Sequence, residues 1–130
     1  MQTLLVYYSK TGNTKKVAEA VIKDLKCTVS ELIFDEATKK IQGDHNPTGY
    51  DKVVIVSPVW GMSLAEPMKV YLNKYGKFIK SYNLIVTLGM FDLGGSARFC
   101  SGATGKPPAK MLKIKTSNVQ SGSFDVKQAL

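Results

Sequence analysis

Ser9-Lys10-Thr11-Gly12-Asn13-Thr14 carries three hydroxyls, a carboxamide and a glycine between a short apolar run, Leu4 to Tyr8, and an amphipathic pattern that begins near Lys15. A strand that empties through such a loop into a helix N-terminus brings backbone N–H groups and the positive end of a helix dipole to one point. The chemistry this suits is phosphate binding. Ser, Thr, Asn and Gly are also ordinary turn and N-cap residues, so the hexapeptide by itself leaves both uses open.

Two other segments have the composition of a site. Ser57-Pro58-Val59-Trp60-Gly61 follows the most hydrophobic stretch of the chain, Val53 to Val56, and holds its one tryptophan. A tryptophan at a strand end offers a flat apolar wall to a flat ligand; its other use is as a core or helix-capping aromatic. Leu88-Gly89-Met90-Phe91 follows a further apolar run, with Phe91 or Met90 able to cover a ligand or pack beneath the loop. No histidine-centred or carboxylate-centred catalytic set emerges. His45, the single histidine, sits in a polar loop beside Pro47 and is expected to face solvent.

The elements that must position these loops alternate. Strands are expected over Leu4 to Tyr8, Thr28 to Phe34, Val53 to Val56 (stopping at Ser57-Pro58), Leu84 to Leu88 and Leu112 to Thr116. Helices are expected over Thr14 to Lys26, where Val17, Ala18, Val21, Ile22 and Leu25 recur at helical spacing, and over the stretch carrying Met68, Tyr71, Leu72 and Tyr75, closed by Gly76. Weaker signals predict a helical turn from Glu36 to Ile41, a short helix from Ser96 to Ser101, and a final helix from Ser123 to Leu130. Apolar runs without alternation, separated by helical crossovers, imply a parallel sheet covered on both faces. Ligands of such sheets bind outside the carboxyl ends of the strands, where all three loops lie.

With 130 residues the chain is expected to form one domain, residues 1–130. Cys27 and Cys100 lack metal-ligand spacing and read as reduced thiols, so a cytoplasmic protein is expected. No apolar run approaches the length of a membrane span. Eighteen Lys and Arg against ten Asp and Glu give a net charge of +8, but the lysines are spread evenly and form no block interleaved with aromatics, so nucleic acid is not the expected partner.

On these residues the chain resembles the flavodoxin family. The loop of Ser9, Thr11, Gly12 and Thr14 matches that family's [ST]-x-T-G-x-T phosphate loop, and Pro58-Val59-Trp60-Gly61 and Leu88 to Phe91 fall at its two ring-binding loops. The resemblance implies a five-stranded doubly wound sheet in order 2-1-3-4-5 and FMN as cofactor, and the chain departs from the family in its abbreviated fourth and C-terminal helices. It implies cofactor contacts from Ser9, Lys10, Thr11, Gly12, Asn13 and Thr14 to the phosphate. For the ring it implies contacts from Pro58, Val59, Trp60, Gly61, Leu88, Gly89, Met90 and Phe91. The function implied is electron transfer, as a carrier or as an FMN-dependent NAD(P)H or quinone reductase. Its partner would be a redox protein or a small-molecule donor or acceptor, and a homodimer is left open by the short C-terminal elements. Family carriers are typically acidic, whereas this chain is basic, which favours the reductase relatives. The alternative is a flavodoxin-fold interaction module that has lost its cofactor.

Overall fold

The structure, a computed structural model, describes residues 2–89 and 94–130. Five parallel strands form its centre: β1 (Thr3–Tyr7), β2 (Thr28–Glu31), β5 (Lys52–Trp60), β7 (Tyr82–Leu88) and β8 (Lys110–Lys115), ordered β2-β1-β5-β7-β8. This is the expected 2-1-3-4-5 arrangement, with the order reversing at β1. Two short additions flank it: a separate antiparallel hairpin of β3 (Ile33–Asp35) and β4 (Lys40–Gln42), and β6 (Ser63–Leu64), which folds back on the end of β5.

Successive side chains of β1 and β5 point to opposite faces, and both faces are covered, which is why these strands are apolar throughout. Leu4, Val6, Val53 and Ile55 pack under α2 (Glu66–Tyr75) and α3 (Gly95–Thr104) with Met68, Tyr71, Leu72 and Cys100. Leu5, Tyr7, Val54 and Val56 pack under α1 (Asn13–Asp24) with Val17, Ala18 and Val21. Each fully buried aliphatic contributes about 1.5–3 kcal/mol, so this double layer fixes where the strand ends, and hence the loops, must lie.

Five elements differ from those expected from the sequence. The strand expected to run to Phe34 stops at Glu31, and the expected turn of helix at Glu36 to Ile41 is instead the tip and return strand of the β3–β4 hairpin. Asp35 makes that tip, its carboxylate accepting from the amides of Ala37 at 2.9 Å and Thr38 at 3.4 Å. The third parallel strand continues through Ser57-Pro58 to Trp60. Proline is tolerated because β1 has ended there, leaving no ladder acceptor for an N–H; the Pro58 carbonyl takes the Ala65 amide at 3.0 Å. The fourth crossover helix is longer than expected, Gly95–Thr104. The final helix divides into α4 (Thr116–Ser121), ended by Gly122 at φ 77°, and a 3-10 turn, Val126–Ala129.

These short pieces still cover the sheet. Val119, Val126 and Ala129 are buried against it, and the Asn83 side-chain amide donates to the Ala129 carbonyl at 2.7 Å. The loop after β4 is pinned to α2: the Asp44 carboxylate accepts from Lys74 Nζ at 2.9 Å and the Tyr75 hydroxyl at 3.1 Å, and the Tyr71 hydroxyl donates to the His45 carbonyl at 2.7 Å. Burial pushes the Asp44 carboxyl up, but the hydrogen bonds from Lys74 and Tyr75 outweigh it and hold the group below the ordinary range. His45 itself is exposed, as expected.

Candidate functional site

The carboxyl ends of β1, β5 and β7 converge on a cleft of about 280 Å³. From the first loop it is lined by Lys10, Thr11, Asn13 and Thr14; from β5 by Pro58, Val59 and Trp60; from β7 by Thr87, Leu88 and Gly89; and from the start of α4 by Thr116. Nine of the residues expected for the site are thereby brought together.

The first loop is shaped by two local choices. The Ser9 hydroxyl accepts the Gly12 amide at 3.0 Å, closing the turn, and Gly12 takes φ 96°, a left-handed conformation that its open surroundings would not forbid but that a Cβ would strain. Ser9 and Gly12 therefore frame the cleft without lining it. No side chain caps α1, and its first turn holds no acidic residue. The first turn of α1 begins at the cleft, which Asn13 and Thr14 line, with no side chain to neutralise its dipole, an arrangement that attracts an anion. Thr14 is buried, and its Oγ1 shares a hydrogen bond with Thr87 Oγ1 at 3.0 Å. That bond ties the loop to the end of β7, so Thr14 positions the cradle as much as it lines it.

On the other wall Trp60 is half-buried and stands edge-to-face on Tyr8, centroids 5.7 Å apart at 89°. Lys10 Nζ lies 5.8 Å from the Trp60 ring centroid and 3.5 Å from Glu36 Oε1. Both charged groups are largely exposed, so this pair contributes little to stability. Gly61 is exposed and leaves the cleft at φ 59°, followed by Met62 at φ 68°. These are the two central residues of the β5–β6 hairpin, where both φ values must be positive. Asparagine tolerates that conformation better than methionine, so Met62→Asn is expected to raise stability by about 0.5–1 kcal/mol in urea denaturation. A loss would show that the methionine side chain contributes more than its strain costs.

Met90 and Phe91 lie outside the described residues. Sequence reasoning missed Thr87, Thr116 and the packing of Tyr8 on Trp60. Thr87 had a signal, being the polar residue in an otherwise apolar strand end, whereas the other two depend on contacts between distant segments. Tyr7, one residue before, faces α1, and its phenol is pushed up to about 12 by burial and then by Glu31, so it keeps its proton. Among the described residues no cluster of His, Cys, Asp and Glu could hold a metal ion, and no helix is long and apolar enough to cross a membrane.

Comparison with known proteins agrees with this architecture. A sequence model of the flavodoxin domain matches residues 4–121, and the chain belongs to that family. The fold is similar to that of a flavoprotein from Lactobacillus acidophilus NCFM, solved in complex with FMN, at 22% identity over 95% of this chain and 99% of that one, TM-score 0.75. The apo form of the flavoprotein from the same organism gives 0.69 at 22% identity, covering 95% and 97% of the two chains. A flavodoxin from the domain Archaea gives 0.61 at 16% identity, covering 95% and 92%. No curated protein matches the sequence significantly.

Proposed function

We propose that this chain binds FMN in the cleft and acts as a redox protein. The observation that carries the reading is the coincidence, at the carboxyl ends of neighbouring strands, of an uncapped, unneutralised helix N-terminus and a partly exposed tryptophan. One end suits a phosphate dianion, the other a flat ring, and FMN has both. The solved relative carrying FMN supports the same assignment.

In this reading Thr11, Asn13 and the first-turn amides hold the phosphate, with Lys10, Lys15 and Lys16 supplying longer-range attraction. Thr14 and Thr87 fix the loop against β7, Trp60 and Val59 form one wall of the ring site, and Thr116 closes the far side. FMN, when bound, supplies one- and two-electron chemistry, and the protein contributes orientation and field. The basic surface favours a small-molecule reductase, or a carrier for an acidic partner, over a carrier built for basic ones. The reduced state inferred for the thiols goes with a cytoplasmic setting.

Thr11→Ala tests the reading directly. Deleting one hydrogen bond to a charged group removes about 1.5–3 kcal/mol, so FMN affinity should fall tenfold or more while riboflavin affinity hardly changes. Equal losses for both flavins would mean that this loop does not hold the phosphate. An interaction module that has lost its cofactor would bind neither.

A further inference from the structure

The lysines are spread evenly along the chain, but the carboxylates are not. Residues 1–66 hold eight lysines and eight acids, whereas residues 67–130 hold nine lysines and Arg98 against two acids, Asp92 and Asp125. The net charge of +8 therefore belongs to the second half, the side of the sheet built from α2, β7, α3, β8 and α4. We propose that the amino-terminal end of this side docks on the surface of an anionic lipid bilayer, through Phe78 and the lysines around it.

Two connections meet at that end. Residues 76–81 join α2 to β7 and residues 105–109 join α3 to β8, and neither connection holds an acid. The parallel register of β7 with β8 sets them side by side: the Tyr82 hydroxyl donates to the Lys106 carbonyl at 2.8 Å, and Lys106 Nζ donates to the carbonyls of Ile79 at 2.7 Å and Lys80 at 2.9 Å. Lys77, Lys80 and Lys106 form no ion pair among the described residues. At the start of β5 nearby, Asp51 is offset by Lys52 and accepts the Gln2 amide at 2.8 Å. Phe78 is the one large apolar side chain of residues 67–130 that stands exposed among the described residues, at 47%, with Lys77 Nζ 5.3 Å from its ring centroid. An apolar ring fenced by ammonium groups suits a membrane interface, where the ring enters the headgroup boundary and the ammoniums stay with anionic headgroups. Lysine needs no fixed counter-group as arginine's fork does, so fluid headgroups can gather around three of them. One ring offers no ladder for successive bases, and a second copy of this face would be repelled. The face lies at the amino ends of the strands, so docking leaves the cleft at their carboxyl ends open to solvent.

The test is co-sedimentation of the full chain with vesicles of phosphatidylcholine alone and of phosphatidylcholine mixed with phosphatidylserine, at low salt. Binding to the mixed vesicles only is expected, fading as salt is added. A lysine close to an anionic surface contributes about fivefold, so Lys80→Gln should weaken binding about fivefold and the double change of Lys77→Gln with Lys80→Gln about twenty-five-fold. Phe78→Ser should weaken it about fivefold through lost apolar contact; Lys80 is exposed, so its variant carries the test even if the serine loosens the turn. Lys40→Gln removes the same unit of charge from the first half of the chain and should change binding less than about twofold. Equal losses from Lys40→Gln and Lys80→Gln would show attraction by net charge alone and overturn the assignment of this face, as would binding to neutral vesicles or to neither kind. Tighter, Phe78-dependent binding of polyglutamate or of single-stranded DNA would assign the face to an acidic protein or to nucleic acid, and would also overturn it. The outcome should be the same with and without FMN, so it stands apart from the assignment of the cleft.

Discussion

Trp60→Ala is expected to weaken FMN and riboflavin alike, by roughly thirtyfold. Stacking on an indole face removes about 100 Å² of apolar surface from water, and losing it costs roughly 2 kcal/mol for any ligand that carries the ring. Because the phosphate is untouched, the ratio of the two affinities should stay as in the parent protein. That constancy separates Trp60 from Thr11, whose loss changes the ratio. Flavin titrations followed by fluorescence quenching measure both quantities. Unchanged affinity in the Trp60 variant would make the tryptophan a packing partner of Tyr8 alone, which their edge-to-face contact would then explain fully.

The largest expected change in stability lies away from the cleft, at Gly76. Its φ of −54° is helical, so conformational freedom is not its reason for being there. A Cβ at this position would stand 2.6 Å from the Ala103 carbonyl oxygen and 3.0 Å from its carbon, where α2 runs into a 3-10 turn beside α3. Backbone atoms cannot swing aside as a side-chain tip can. Gly76→Ala should therefore cost about 1–3 kcal/mol despite the gain in helix propensity, or roughly 4–11 °C in melting temperature. Gly102, inside α3 with no atom near its missing Cβ, supplies the contrast: Gly102→Ala should stabilise by about 0.5–1 kcal/mol. Thermal melts of the two variants with opposite signs would confirm that the α2–α3 approach, not glycine chemistry in general, is what Gly76 serves. Two shifts of the same sign would contradict it.

The strands and first loop were legible in the sequence because β1, β5 and β7 are buried on both faces and interrupted by glycine and hydroxyl residues at their ends. The hairpin was not. Ile33 and Phe34 continue the apolar run of β2, yet the chain breaks away at Leu32, whose amide bonds to the Tyr7 carbonyl at 2.9 Å, and Ile33 is turned outward. Hydrophobicity alone cannot register that change of direction; the Asx turn at Asp35 was the local cue. At the C-terminus, Gly122 sits where a helix begun at Thr116 would need a left-handed residue, a cue outweighed by the apolar residues of β8 just before it. In the cleft, the grouping of residue types chosen for their chemistry was legible. Thr116 was not, because it arrives from more than a hundred residues along the chain from the loop it faces, brought there by the parallel register of β8 with β7.

The measurement that bears most directly on the cleft is a titration of the apoprotein with FMN and with riboflavin under identical low-salt conditions. The two ligands share the ring and differ by the phosphate, so their affinity ratio isolates the work of the α1 N-terminus and the first loop. Several charge-assisted hydrogen bonds at about 1.5–3 kcal/mol each predict FMN tighter than riboflavin by roughly a hundredfold or more, with the ratio shrinking as salt is added. Equal affinities, or binding of neither flavin, would contradict the assignment of this cleft to FMN.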